Sequence, residues 1–122
     1  MTRVLVVDDD PDVREALVGV LVDQGFRVET ACDGREALLA LARAPRPDVI
    51  LLDWMMPSMD GIELRGALLA DPELANVPVV FLSADARLSS RALELRARVL
   101  NKPVKLDALV AALRQAAFPA PA

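Results

Sequence analysis

Short apolar runs, rich in β-branched residues, alternate along the chain with longer stretches in which apolar residues recur at helical spacing. The runs predict five strands, which span residues 3–7, 27–31, 48–52, 78–82 and 98–101. The stretches between and after them predict five helices, over residues 11–24, 34–43, 61–71, 86–96 and 105–117. Strands that are apolar along most of their length are typical of a parallel sheet covered on both faces.

The first helix has the clearest boundaries. Asp10 is placed to act as its N-cap, Pro11 follows at the first helical position, and Gly25 is expected as its C-cap. Asp12 falls in the first turn, where the helix dipole favours a negative charge. We therefore interpret Asp10 and Asp12 as residues of the helix terminus.

Five strand–helix units in succession, joined by right-handed crossovers, predict one α/β domain. The expected architecture is a flavodoxin-like, doubly wound, five-stranded parallel sheet of order 2-1-3-4-5, flanked by helices on both faces. We assign residues 1–117 to this domain and residues 118–122 to a tail or truncated linker. In such a sheet, ligands bind outside the carboxyl ends of the strands.

Composition narrows the classes of function. The chain has 122 residues, no histidine and one cysteine, Cys32. The lack of histidine excludes a Ser-His-Asp hydrolase, a histidine-ligated zinc site and histidine acid–base catalysis. A net charge of −4 argues against a general nucleic-acid or membrane surface. With no internal disulfide, signal peptide or apolar run of membrane-spanning length, we expect a cytoplasmic protein.

Four carboxylates stand at the ends of predicted strands. Asp8, Asp9 and Asp10 directly follow the first strand, and Asp53 directly follows the third. The fold brings these ends to one edge, where converging carboxylates repel one another unless a cation lies between them. Mg²⁺ suits this setting, because it takes one or two protein carboxylates, keeps several waters and uses phosphate oxygens for the rest.

A hydroxyl and an ammonium reach the same edge. Ser83 directly follows the fourth predicted strand and Lys102 the fifth. Phosphoryl transfer to a carboxylate needs these groups and a cation, because charge develops on the phosphoryl oxygens. Each residue alone would suit a surface turn, so the hypothesis depends on their convergence.

In order and spacing, these residues resemble the receiver domain of bacterial two-component response regulators. The resemblance covers nearly the whole chain, from Val4 to Leu113. Four segments carry it: Val6–Pro11, Leu51–Gly61, Ser83–Ala84 and Lys102–Pro103.

The resemblance implies that Asp53 accepts a phosphoryl group from the phosphohistidine of a sensor histidine kinase or a phosphotransfer protein. It also implies a site for Mg²⁺, or Mn²⁺, at Asp53. Asp9 would bind this ion directly, Asp8 would hold it through water, and the backbone carbonyl of Met55 would complete the protein ligands.

By the same resemblance, Ser83 and Lys102 would contact the transferred phosphoryl group, and Pro103 would follow a cis peptide bond. The chain would be a regulatory domain rather than an enzyme, although it would assist its own phosphorylation and dephosphorylation. Its change of conformation would act on an output domain or on a second copy of the chain, without direct contact with nucleic acid or membrane.

Two features depart from the usual pattern of this family. Val99 occupies a position that often carries Tyr or Phe, and the chain has no tyrosine, so an aromatic readout of phosphorylation is absent or altered. The segment from Ser83 to Lys102 is roughly three residues shorter than usual, close to one turn of α-helix. The shortening falls in the fourth predicted helix. We therefore expect a divergent output face on an intact phosphorylation site.

Other classes of function remain as alternatives. A pseudo-receiver, which binds partners without phosphorylation, would account for Val99 and the short fourth helix but leaves the intact site residues unexplained. A haloacid-dehalogenase-like phosphohydrolase also uses an aspartate after a parallel strand, but Asp12 stands where Thr or Val is expected. Flavin binding is disfavoured, because no hydroxyl- and glycine-rich phosphate loop follows the first strand.

Overall fold

A computed structural model describes residues 1–43, 45–53 and 61–118 of the chain. Within these residues, five parallel strands form one sheet of order β2-β1-β3-β4-β5. The strands are β1 Arg3–Val7, β2 Arg27–Ala31, β3 Val49–Asp53, β4 Val79–Ser83 and β5 Arg98–Asn101. The predicted flavodoxin-like strand order is confirmed.

Helices connect the strands. They are α1 Pro11–Asp23, α2 Gly34–Leu41, α3 Gly61–Ala70, α4 Ala92–Leu95 and α5 Leu106–Ala117, with a 3₁₀ helix, Ala86–Arg91, before α4. In the part of the chain that the structure describes, no helix is both long and apolar enough to cross a membrane.

The prediction of one continuous helix over residues 86–96 is wrong. The segment begins as the 3₁₀ helix, and only its last four residues, Ala92–Leu95, form a turn of α-helix. The Ser90 hydroxyl donates to the carbonyl of Arg87 at 2.8 Å, a local bond that competes with α-helical pairing. A 3₁₀ helix rises about 2.0 Å per residue, against about 1.5 Å for an α-helix, so residues 86–91 span a greater length than the predicted α-helix would.

The start of α1 agrees with its prediction, and its end differs by one residue. The Asp10 carboxylate accepts hydrogen bonds from the amides of Asp12 and Val13, as expected of an N-cap. The C-cap is Gln24 rather than Gly25, which follows it with a φ of +93°. Glycine suits the position after the cap because it adopts positive φ without steric cost.

Alternate residues of the strands face opposite layers of helices. One core cluster contains Leu5, Ile50 and Phe81 from the strands and packs under α2, α3 and α4. The other contains Val6 and Leu51 among its members and packs under α1 and α5. The sheet is therefore covered on both faces, as its apolar strands predict.

Candidate functional site

The four predicted site elements meet at the carboxyl edge of the sheet. Asp8 directly follows β1 and Lys102 directly follows β5. Asp53 and Ser83 are the last residues of β3 and β4, so each strand extends one residue beyond its predicted end. This places both side chains on the regular strand backbone, where their directions are set by sheet pairing: Asp53 is paired with Leu82, and Ser83 with Asn101.

Three carboxylates converge at this edge. Asp8, Asp9 and Asp53 each offer one oxygen, and these oxygens all lie within 4.8 Å of one another. Asp8 is buried, Asp9 is exposed, and the Asp53 side chain is 12% exposed. The cluster therefore lies at the floor of an open edge, where a ligand from solvent can reach Asp9 and Asp53.

The backbone around Asp8 is held by three hydrogen bonds. Its amide donates to the carbonyl of Ala31 at 3.1 Å, and its carboxylate accepts the amide of Asp10 at 2.9 Å. The Arg14 guanidinium reaches back from α1 and donates to the Asp8 carbonyl at 2.7 Å. Sequence reasoning missed Arg14, because an arginine on a helix carries no signal for a backbone acceptor.

The environment of Asp8 disfavours its charged form. Burial raises the pKa of the Asp8 carboxyl above its usual 3.8, and the nearby charges of Asp53 and Asp9 raise it further. The hydrogen bond from Asp10 and the charge of Lys102 act in the opposite direction without cancelling the rise. A bound cation would remove this cost by pairing with the deprotonated carboxylates.

The donor set fits a divalent cation. Mg²⁺ binds oxygens at about 2.0–2.1 Å, so two oxygens on opposite sides of the ion lie about 4.2 Å apart. The oxygens of Asp8, Asp9 and Asp53 all lie within 4.8 Å of one another, so the three carboxylates are close enough to share one hydrated ion. The predicted backbone ligand, Met55, lies outside the described residues.

Lys102 supplies a positive charge next to Asp53. Its Nζ lies 3.5 Å from Asp53 Oδ1, and its side chain is 39% exposed. The backbone amide of Lys102 donates to the carbonyl of Ser83 at 2.8 Å, which extends the β4–β5 pairing by one step. The peptide bond between Lys102 and Pro103 is cis, as the resemblance implies.

The Ser83 hydroxyl is buried and bonded to the following turn. It donates to the carbonyl of Asp85 at 3.0 Å and accepts the amide of Asp85 at 2.9 Å. The Asp85 carboxylate accepts hydrogen bonds from the Arg87 guanidinium at 2.8–3.1 Å. These bonds are the largest cause that lowers the pKa of Asp85 to about 2. Sequence reasoning did not single out Asp85 or Arg87.

Asp10 takes a different role from its neighbours. Its carboxylate caps α1, and the group of metal-capable carboxylates found among the described residues consists of Asp8, Asp9 and Asp53. This agrees with the interpretation of Asp10 as an N-cap.

Comparison with known proteins gives a consistent picture. The family model for the response regulator receiver domain matches residues 4–114. The response regulator MprA of Mycolicibacterium vanbaalenii is 43% identical over 115 residues, which cover 92% of this chain and 48% of that protein. The DNA-binding response regulator MtrA of Mycolicibacterium smegmatis is 42% identical over 115 residues, which cover 92% of this chain and 49% of that protein. This chain spans about half the length of these curated relatives.

Solved structures agree with the sequence relatives. The chemotaxis protein CheY4 of Vibrio cholerae superposes with a TM-score of 0.85 at 33% identity, covering 95% of this chain and 98% of that chain. The receiver domain of a signal transduction histidine kinase from Syntrophus aciditrophicus superposes with a TM-score of 0.85 at 34% identity, covering 96% of this chain and 90% of that chain. Fold and sequence therefore point to the same set of proteins.

Proposed function

Because this chain belongs to the family of response regulator receiver domains, we propose that it is a phosphorylation-controlled switch whose phosphoacceptor is Asp53. The donor is the phosphohistidine of a sensor histidine kinase or a phosphotransfer protein. The observation that carries the proposal is that Asp53 lies 3.5 Å from the Lys102 ammonium and shares one carboxylate cluster with Asp8 and Asp9.

In the proposed reaction, a carboxylate oxygen of Asp53 forms a bond to phosphorus while the bond from phosphorus to the donor imidazole nitrogen breaks. The nitrogen leaves with the bonding electron pair and takes up a proton. The Asp53 carboxylate is the nucleophile, and the Lys102 ammonium, 3.5 Å from its Oδ1, is placed to pair with negative charge that develops on the phosphoryl oxygens. The product is an acyl phosphate on Asp53.

A divalent cation held by Asp8, Asp9 and Asp53, Mg²⁺ or Mn²⁺, would neutralise charge that develops on the phosphoryl oxygens. Asp8 and Asp9 contribute by holding their oxygens in place before the reaction, with the Asp8 turn held by Arg14. The same groups assist loss of the phosphoryl group. The chain thus acts on its own phosphorylation state rather than on a pool of substrate.

Lys102 and Ser83 respond to the new group. The Lys102 ammonium exchanges its carboxylate partner for a phosphoryl oxygen, which carries more charge. The Ser83 hydroxyl must leave the carbonyl of Asp85 to donate to another phosphoryl oxygen. Because the Asp85 turn leads into the 3₁₀ helix and α4, this exchange perturbs the β4–α4 connection.

The partners follow from this role. A protein that presents a phosphohistidine is the upstream partner, and an output domain or a second copy of the chain is the downstream one. The relative MtrA is described as DNA-binding, and this chain matches 49% of it. We propose that any contact with DNA belongs to an output domain rather than to the receiver, whose net charge is −4, and that the reaction takes place in the cytoplasm.

Labelling with acetyl phosphate tests the proposal. Intact-mass measurement should show one added phosphoryl group in the presence of Mg²⁺, and none after Mg²⁺ is chelated. Asp53→Asn should not be labelled. Asp48→Asn is the matched control. Asp48 directly precedes the start of β3, at the opposite end from Asp53, and its carboxylate accepts a hydrogen bond from the backbone amide of Arg3. Labelling of Asp53→Asn at the parent level would reject Asp53, and an unlabelled parent would favour a pseudo-receiver.

A further inference from the structure

Arg65 is a buried cation outside the phosphorylation site. It lies on α3 with only 2% of its surface exposed. Its guanidinium donates to three backbone carbonyls: Nε to Leu95 at 2.8 Å, Nη2 to Arg96 at 2.9 Å and Nη1 to Val77 at 3.3 Å. One side chain therefore joins α3 to two other segments of the chain.

Burial of the Arg65 charge costs free energy, and the hydrogen bonds to the three carbonyls offset part of this cost. The guanidinium must therefore keep these acceptors. Burial lowers the pKa of Arg65, and the charge of Arg96 adds to the effect. The carbonyl dipoles of the C-terminal end of α4 offset part of the cost, since that end of a helix is electronegative. If α4 moves away, the guanidinium loses two of these acceptors, so α3 and the end of α4 are energetically coupled.

The three acceptors lie where the segments next to the site begin or end. Val77 precedes β4, the strand that ends at Ser83. Leu95 ends α4, and Arg96 links α4 to β5, the strand that leads to Lys102. Arg96 has a φ of +51°, in the left-handed region that a residue with a side chain rarely adopts. The junction is therefore a strained backbone turn, and the bond from Arg65 holds it.

The helix that carries Arg65 is itself connected to the site. α3 begins at Gly61, after the segment that follows Asp53. Arg65 thus joins α3, the helix that follows Asp53 in the chain, to the end of α4, which follows Ser83 through the 3₁₀ helix.

We propose that Arg65 is a positioning residue that transmits the state of Asp53 to the α4–β5 junction, residues 95–98. This inference rests on the proposed phosphorylation of Asp53 and names the contact that carries the resulting change. A shift of α3 moves the guanidinium, and the left-handed turn at Arg96, held by that guanidinium, changes with it.

Amide NMR spectra with and without beryllofluoride, a stable stand-in for the phosphoryl group, test this role. The parent should show beryllofluoride-dependent shifts both near the site and at residues 95–98. In Arg65→Met, which keeps an unbranched side chain but has no donor, the shifts near the site should remain and those at residues 95–98 should shrink severalfold. If Arg65 only stabilised the fold, Arg65→Met would change the spectra with and without beryllofluoride to the same extent.

Two further variants make the test decisive. Arg114→Met is the matched control. Like Arg65, Arg114 donates to a backbone carbonyl, that of Gln24 at 2.8 Å, but it lies on the other side of the sheet. It should respond as the parent does. Arg65→Lys retains the charge without the planar guanidinium that reaches three acceptors, so its beryllofluoride-dependent shifts at residues 95–98 should be smaller than those of the parent. This variant replaces Arg65→Met as the test if Arg65→Met does not fold.

The outcomes separate the two proposals. Full shifts at residues 95–98 in Arg65→Met, or in a folded Arg65→Lys, overturn the role of Arg65 while Asp53 phosphorylation stands. Failure of the parent to take up a phosphoryl group from acetyl phosphate overturns the proposed function, and the role of Arg65 falls with it.

Discussion

The Nζ atom of Lys102 lies 3.5 Å from Oδ1 of Asp53, although the two residues belong to different strand ends with β4 between them in the sheet. The contact exists because the backbone of Lys102 continues the β4–β5 pairing through its bond to the carbonyl of Ser83. Lys102 is therefore positioned by the sheet, and its ammonium is available to a group added to Asp53.

We expect Lys102→Met to label slowly with acetyl phosphate and to respond weakly to beryllofluoride, because the phosphoryl oxygens lose their ammonium partner. Stability should change by less than about 1 kcal/mol, since the pair is partly exposed. Lys105→Met is the control: Lys105 is exposed, and its side chain makes no capping bond to α5. Equal labelling rates for the two variants would contradict the role of Lys102.

Asp8→Asn should stabilise the protein without Mg²⁺ and weaken Mg²⁺ binding. The pKa of Asp8 is raised by burial and by Asp53 and Asp9, so its charged form is penalised at neutral pH, and a neutral isostere removes that penalty. Relief of one such repulsion is worth on the order of 1 kcal/mol. Urea unfolding with and without Mg²⁺ measures both effects. A loss of stability in the metal-free variant would count against the electrostatic account.

Asp10→Ala separates capping from metal binding. Removal of the N-cap of α1 should lower the free energy of unfolding by about 1 kcal/mol. Mg²⁺ affinity should remain close to that of the parent, while Asp9→Asn should bind Mg²⁺ much more weakly. The fluorescence of Trp54, the single tryptophan and the residue after Asp53, provides the titration signal. If Asp10→Ala weakened binding as much as Asp9→Asn, Asp10 would belong to the metal site.

The Asp85–Arg87 pair gives a prediction for pH. Arg87 depresses the pKa of Asp85 from 3.8 to about 2, so the contribution of this pair to stability is present above pH 3.8 and is lost as the pH falls toward 2. In Arg87→Gln, the pKa of the Asp85 carboxyl should rise toward its ordinary value, because the guanidinium is lost while the backbone amide of residue 87 still donates to the carboxylate. Carbon-detected NMR of the side-chain carboxyl follows the midpoint directly. An unchanged midpoint would show that Arg87 does not hold Asp85 in solution.

Much of the fold could be predicted because its information is local. Apolar runs mark the strands, and the order of strand and helix restricts the crossovers, so the predicted topology agrees with the observed sheet. The fourth helix is the exception. Its residues have helical spacing, but the segment must also span the distance to β5, and that distance is a property of the assembled domain.

The candidate site divides in the same way. Asp53 and Ser83 could be found from the sequence because each occupies a strand end, and the carboxyl ends of parallel strands meet at one edge. The bonds of Ser83 to the Asp85 turn depend on side-chain direction, which the sequence pattern does not specify.

The sequence by itself determined the strand order, the acidic cluster and the lysine beside it, because strand ends and charged side chains are visible in the order of residues. Only the tertiary structure decided which groups Arg65 contacts. Two of its acceptors, the carbonyls of Leu95 and Arg96, lie 30 and 31 residues later in the chain. Every residue has a carbonyl, so which ones a buried guanidinium meets is set by packing alone.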